Sequence, residues 1–579
     1  MKRLITFKDI KENKRKIAFT GIFAAAVVLL SVLIAVLNIC YTANISDKQY
    51  SLDNMLSHVL SVSEEEHSVY DEEASEKVRS YISSTLFSYG VENEIITHND
   101  VVLHNEKTDE FSYYKPKNIY AEIAGESKEK VLLVAHYDSC GYKIKYDEAS
   151  EGSHGALDDG YGVAAVLELA RIFSSQKNLK NGIKLAIVDA EEEGVLGSEA
   201  LVKEYSQWLD DVNLVINVEG RGNKGPLYLF QTSGNNSRII ELYKKAGFPF
   251  SFSVAADVYG MLPNDTDLSP FLEKGLAGMN FAVLESLKVY HNEKDVYEAV
   301  DANSLAGYCD TLLPLLDEYT SNAKYASHDY FLNGHDTLFF TLFPNALVSY
   351  SAVTGWIFFG IIIALVCALI VVSILKKRLN WKKLLISLGI DLAFIVVTCG
   401  FGFIVALIAS ACAGVNYHVM FVIGVAFDGG LLIIFSLIMA AAFVFATLFK
   451  LKFGFTHSEM TLGGLSINTL LAIVCAAVIF GGTYLFVIPV LLYAIGEGVN
   501  LFVKNEKIRL GVCAAACAVA TIFTLSIYIS LLYSLYVSLT FGALGIIAAF
   551  AILPLTMCVP QICGLFCGVP EKAQVKEAV

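Results

Sequence analysis

Hydrophobic and polar positions divide this chain into two regimes. Between residues 42 and 330, apolar residues come in short runs such as VLLVA (131–135), LAIV (185–188) and, broken only by Asn217, LVINV (214–218). Polar turns separate these runs from stretches with apolar residues at three-and-four spacing, such as VAAVLELARIF (163–173). Short β-rich runs predict buried strands, and the helical spacing predicts amphipathic helices. Their alternation predicts an α/β domain with a mixed sheet sandwiched by helices. Elsewhere the apolar runs are long enough to cross a bilayer. They lie near 17–41, 347–375, 384–411, 425–449, 463–481, 483–502, 510–534 and 538–562. The pattern therefore predicts a second, polytopic all-α transmembrane domain.

The domain boundaries follow from this reading. Residues 1–16 form a basic tail and 17–41 a transmembrane signal anchor, since a cleaved signal would have a shorter apolar core and a small-residue cleavage site. Residues 42–330 form the α/β domain, 331–346 a juxtamembrane segment, 347–565 about seven helices, and 566–579 a second tail. Within the α/β domain, DEEASEKVRSYISSTLFS predicts a helix stopped at Gly90 and followed by a strand. NIYAEIAG (118–125) and KVLLVAHYD (130–138) read as adjacent strands joined by the polar turn GESKE, and DTLFFTLFPNALVSYS as a segment lying at the membrane interface.

Charge sharpens the division. The chain is 55% hydrophobic, with a mean hydropathy of +0.52, too apolar for a soluble protein of 579 residues. Residues 41–330 hold 48 acidic and 24 basic residues, while the whole chain nets −15, so the remainder carries +9. The first sixteen residues hold seven Lys or Arg against Asp9 and Glu12, and KKRLNWKK (376–383), FKLKF (449–453), VKNEKIR (503–509) and the EKAQVK tail hold most of the remaining basic charge. The positive-inside rule puts these segments in the cytosol and the acidic domain on the opposite side. Of twelve cysteines only Cys140 and Cys309 fall in the acidic domain, and their spacing requires no bridge, so the redox compartment is not readable. No phosphate-binding loop or basic aromatic stripe is present, so nucleotide and nucleic-acid partners have no support.

Three motifs carry candidate chemistry. VLLVAHYDS ends a strand on His136 and Asp138, GALDDGYGVAAVLELAR sets Asp158 and Asp159 in a Gly-flanked turn before a helix, and LAIVDAEEEGVLGS places Glu191 and Glu192 after another strand. Singly each has an ordinary explanation, as a turn or a solvated helix start. Together they deliver carboxylates and an imidazole to the carboxyl ends of strands, where an α/β sheet presents its site. Acids crowded there repel one another unless cations neutralise them. A histidine among oxygen ligands suits zinc, with cobalt or manganese as substitutes.

These motifs resemble the dinuclear zinc aminopeptidase, glutamate carboxypeptidase and transferrin-receptor superfamily. The resemblance is closest to its membrane-embedded branch of endoplasmic reticulum metallopeptidases and vacuolar membrane proteases. It covers roughly residues 55–325 and implies a zinc-exopeptidase fold with two zinc ions. It further implies that His136, Asp158 and Glu219 hold one ion, that Asp158, Glu192 and His291 hold the other, and that Asp138 orients His136. Glu191 is implied as general base, activating a water between the metals. TDLSPFLEKG is similar to a stretch near the family's substrate pocket, which makes Asp267 a carboxylate of the pocket or of the layer behind the metal ligands, and Tyr290 is a candidate partner for the oxyanion. Soluble aminopeptidases of this type usually have Asp where Glu219 stands, whereas Glu occurs in the membrane branch.

The resulting expectation is a membrane-bound zinc exopeptidase, an aminopeptidase ahead of a carboxypeptidase, acting on peptides. The acidic domain suits an incoming ammonium terminus. It is expected as a multi-pass protein of the plasma membrane with the domain extracellular; the alternative is the endoplasmic reticulum or vacuole membrane with the domain lumenal. The membrane helices offer a route to oligomers. Rival readings are an inactive receptor or scaffold, a single-zinc glutaminyl cyclase, and a transporter with an accessory domain. In the membrane half Asp391, His418, Asp428 and Glu497 stand out, because burying charge in hydrocarbon is costly.

Overall fold

The computed structural model describes residues 14–43, 49–105, 110–141, 152–262, 264–417 and 428–566. Residues 1–13 of the basic N-terminal tail and the last thirteen residues lie outside them. The chain divides into two units, one of residues 38–352 and one of residues 1–37 with 353–579.

After helix α1 (Lys14–Ile39), which belongs with the apolar helices below, the first unit runs α2 (Leu52–Val62), α3 (Glu72–Ser88), β1 (Asn93–Thr97), β2 (Val101–Asn105), β3 (Glu110–Tyr114), β4 (Lys117–Ile123) and β5 (Lys130–His136). Next come α4 (Gly160–Ser174), β6 (Gly182–Val188), α5 (Leu196–Glu204), β7 (Val212–Gly220), β8 (Tyr228–Thr232), α6 (Ser237–Tyr243), β9 (Phe250–Ser251) and α7 (Ser253–Tyr259). It closes with α8 (Leu268–Glu273), β10 (Gly278–Val283), α9 (Ala302–Ser321), β11 (Thr337–Phe343) and β12 (Ala346–Ser351).

One mixed sheet organises these elements, in the order β1-β4-β6-β5-β7-β10-β8-β9. Its centre, β6, β5, β7 and β10, is parallel and buried at every residue. Only a sheet covered on both faces keeps whole strands from water, which is why these runs show no polar alternation. The side-chain period of two still sorts them. Val131, Leu133 and Ala135 join the core with Met55, Val166 and Leu312 from α2, α4 and α9, whereas Leu132 and Val134 join Leu201, Leu268 and Phe271 from α5 and α8. The parallel strands end along one edge, and His136 is the last residue of β5.

Two local expectations need correction. β4 and β5 are not a hairpin: β6 lies between them, antiparallel to β4 and parallel to β5. A fully buried strand gains more from two parallel neighbours than from one adjacent edge, and a turn composition alone does not reveal that insertion. The span expected from residue 347 begins only at Ala352, because the segment from residue 337 on forms the β11–β12 hairpin, turned at Asn345 with φ +60°. Its Leu338, Phe339 and Phe340 are buried, and Thr341 Oγ1 accepts the Ser251 N–H at 3.0 Å. The hairpin supplies backbone and side-chain partners at β9, where the main sheet ends.

In the second unit, eight helices among the described residues are long and apolar enough to cross a membrane: Ala18–Ile39, Ala352–Leu375, Trp381–Ala413, Gly430–Lys452, His457–Val478, Phe480–Phe502, Glu506–Leu539 and Phe541–Gly564. Gly402 and Gly545 mark one helix crossing, since a Cβ on Gly402 would fall 2.6 Å from the Gly545 Cα. Asp391, in Trp381–Ala413, is buried against Lys450 of Asp428–Lys452 at 2.5 Å. Glu497 is buried against His457 Nε2 at 3.3 Å and accepts the Ser458 hydroxyl at 2.6 Å. His418 and the side chain of Asp428 lie outside the described residues.

Candidate metal centre

The centre is assembled from the ends of β5, β6 and β7, the turn before α4, and the loop after β10. His136 Nε2 lies 3.2 Å from Asp158 Oδ1 and 3.1 Å from Glu219 Oε1. His291 Nε2 lies 3.2 Å from Asp158 Oδ2 and 3.1 Å from Glu192 Oε2. Asp158 thus turns one oxygen to each imidazole, and each imidazole meets one further carboxylate. Residues 136, 158, 192, 219 and 291 come together from positions spread over more than 150 residues of chain.

The backbone is shaped to allow this. Asp159 caps α4, accepting the Gly162 N–H at 3.0 Å, and also accepts the His136 N–H at 3.3 Å. Gly220 is required by a close approach: a Cβ there would stand 1.8 Å from the Leu157 carbonyl oxygen, so only glycine lets β7 press against the Asp158 turn. His291 (φ +53°) and Ala190 (φ +56°), just before Glu191, occupy the left-handed region, a strained conformation for a side-chain-bearing residue that clusters at functional sites. The Asp158–Asp159 peptide bond is cis.

Asp138 holds the site from behind. Its backbone carbonyl faces His136 Nδ1 at 3.0 Å, while its carboxylate, 3.5 Å from that nitrogen, accepts the backbone N–H groups of Glu191 at 3.0 Å and Glu192 at 3.2 Å. It therefore orients two acidic residues as well as the imidazole. Glu191 is half-buried, and among the described residues no hydrogen bond or ion pair joins its carboxylate to either imidazole. That separates it from Glu192 and Glu219.

The donor set fits divalent cations. One imidazole nitrogen can serve only one hydrogen bond, yet each of these faces two carboxylate oxygens. A tetrahedral zinc shell has ligand atoms about 3.4 Å apart, close to the spacings here. Protons otherwise take the place of cations. His136 and His291 are pulled down by burial, but the surrounding carboxylates, with Cys140 and Tyr290 beside His291, carry both well above the usual imidazole range. Burial works against Asp158, but its two histidines hold it down at about 2. Burial, followed by the charge of Glu219, pushes Glu191 well up.

Residues 118–316 match the family model described as peptidase family M28. This segment is similar to peptidase family M28. The chain is 27% identical over 243 residues to the vacuolar membrane protease of Candida dubliniensis, covering 41% of this chain and 25% of that protein. It is 28% identical over 325 residues to the vacuolar membrane protease of Candida glabrata, covering 53% and 32%. It therefore spans only a quarter to a third of the length of these relatives. Among solved structures, a Zn-dependent exopeptidase from Parabacteroides distasonis is 21% identical, covers 48% of this chain and 99% of its own, and gives a TM-score of 0.37.

Two further residues singled out in the sequence lie beside the centre. Asp267, expected in the pocket or behind the ligands, is fully buried and accepts the Ser198 hydroxyl at 2.7 Å; burial raises it to about 8. It backs the centre and does not line an open pocket. Tyr290 stacks on the His291 ring, with centroids 3.6 Å apart. Other contributors had no motif to flag them. Asp295 accepts the Leu157 N–H and the Ser153 hydroxyl, each at 2.7 Å, and so holds the turn before Asp158. Asn217 donates to Glu219 Oε2 at 3.2 Å, and the Tyr308 hydroxyl to the Glu219 carbonyl at 2.7 Å. The Cys140 sulfur, a Glu192 oxygen and a His291 ring nitrogen all lie within 4.8 Å of one another.

Proposed function

We propose that residues 42–330 are a dinuclear zinc exopeptidase, an aminopeptidase, carried on the non-cytoplasmic face of a membrane by the apolar helices. The observation that carries this reading is the division of Asp158 between His136 and His291, which provides two ligand sets sharing one carboxylate. It favours two zinc ions over the single ion of a cyclase. Similarity to peptidase family M28 and the names of the vacuolar membrane relatives support a membrane peptidase. A plasma membrane with the domain outside and an internal membrane with the domain lumenal both fit this orientation.

His136, Asp158 and Glu219 would hold one zinc, and His291, Asp158 and Glu192 the other. When bound, such ions polarise the scissile carbonyl and acidify water. The chain's own part is proton transfer and alignment. Glu191, adjacent to both ligand sets and tied to neither, takes a proton from the attacking water and delivers it to the leaving amine. Asp138 keeps the Glu191 and Glu192 backbone in place for that role, and Asp295 does the same for the turn that presents Asp158.

The test uses the full chain in detergent. Metal analysis should give two zinc ions per chain, and chelation should abolish hydrolysis until zinc is restored. Peptides with a free amino terminus should be cleaved and their N-blocked counterparts spared. Cleavage of only the blocked peptides would overturn the aminopeptidase assignment, and one zinc at full activity would overturn the dinuclear one.

A further inference from the structure

Two residues later on the same chain than Glu219, Arg221 brings a cation to a site otherwise built from acids. Its guanidinium carbon lies 5.4 Å from the centre of the Tyr290 ring, and that ring stacks on His291. Its Nε is buried and has no hydrogen-bond partner among the described residues. Tyr259, at the end of α7, borders the same space. Its hydroxyl is also buried and approaches Thr266 without reaching hydrogen-bond geometry; the Thr266 oxygen already accepts from Asn280 at 2.7 Å. Burial chiefly raises the Tyr259 phenol, with the charges of Glu219 and Glu191 adding to the effect and Arg221 opposing it.

Buried donors are rarely left unmet in a folded protein, and such groups call for an explanation. Here both groups can donate, one is permanently charged, and both sit next to the bond-breaking centre. A guanidinium pairs best with a planar anion that accepts from several of its N–H groups. Balancing the acidic ligands would not need a donor held dry and unpaired; an incoming acceptor would.

We propose that Arg221 and Tyr259 recognise a carboxylate of the peptide substrate, so that the centre selects peptides with an anionic group next to the bond it cleaves. This rests on the peptidase reading above. The carboxylate has two sources, an acidic side chain or the free C-terminus of a short peptide. Sites built to pair with a charged or polar group reject analogues lacking it more strongly than apolar pockets reject size differences.

The experiment compares kcat/KM of the zinc-loaded full chain on two matched pairs. One is a dipeptide with a free or an amidated C-terminus; the other is a C-amidated dipeptide with glutamate or glutamine in the second position. At least a tenfold preference for the carboxylate is expected in one pair, carried mainly by KM, and that pair names the source. Arg221→Gln should bring the ratio close to one with zinc content retained. Arg221→Lys should keep part of the preference, and Tyr259→Phe should lower it less than Arg221→Gln does. Hydrolysis of all four peptides at equal efficiency would end the carboxylate proposal and leave the peptidase reading standing. An equal loss on all four in Arg221→Gln would reduce Arg221 to electrostatic support of the centre. Hydrolysis of none would remove both readings.

Discussion

In the helical unit Asp391 meets Lys450, and Glu497 meets His457 and Ser458. In the α/β unit Asp138, Asp158, Asp159, Glu191, Glu192 and Glu219 gather around two imidazoles. In the first arrangement Asp391 and Glu497 each have a basic partner within the fold. The second sets six carboxyl groups against two imidazoles and the Arg221 guanidinium, more acids than bases. Burying unpaired charge is too costly to persist without a function, so pairing separates charges that hold helices together from charges that wait for a cation. The same residue types, equally buried, thus answer different questions in the two units.

The sharpest way to break this contrast is at the base. Glu191→Gln removes the proton carrier and leaves the ligand set whole, so turnover should fall about 10²- to 10⁴-fold with zinc content unchanged. Surviving activity, measured on the same peptides, would take Glu191 out of that role. Next, Lys450→Met strands the Asp391 carboxylate among apolar helices. Breaking one side of such a buried pair costs about 3–5 kcal/mol, which should show as early thermal unfolding in detergent. Lys450→Met combined with Asp391→Leu should recover much of it. If the double variant were no better than the single, pairing would not be what the two residues are for.

A smaller effect belongs to a partly exposed pair in the α/β unit. Asp211 contacts Lys130 at 2.6 Å and also Lys184; burial opposes these contacts, yet the two lysines hold its carboxyl below the usual range. A depressed folded pKa stabilises above the unfolded value and is lost as pH falls through the folded one. Discounted for solvent screening, Asp211→Asn should cost about 1 kcal/mol at pH 7. The difference from the parent should shrink below about pH 4. Parallel melting curves that keep the same gap at acid pH would assign Asp211 a role other than ion pairing.

Much of the α/β unit was legible because strands buried on both faces must be written as largely apolar runs, and β5, β6 and β7 are, with Lys184, Asn213 and Asn217 among the polar exceptions inside them. The turn that presents Asp158 was legible too, since a DDG sequence before a helical pattern signals a cap. What failed was neighbourhood. The polar turn between β4 and β5 carries no information that β6 enters between them, and the apolar run of β11 does not say that an edge near Ser251 accepts it. Asp295 and Arg221 were invisible for a related reason, because their importance lies in what faces them.

Local pattern alone determined where strands and apolar helices run, which residues end each strand, and that acids gather at those ends, because backbone geometry and burial act through nearby positions. Tertiary structure alone decided that Asp158 faces both histidines, that Glu191 stays clear of them, and that Asp391 meets Lys450. Each of these is a distance across space between residues remote in the chain, fixed by packing and by strand order, and no spacing along the sequence encodes it.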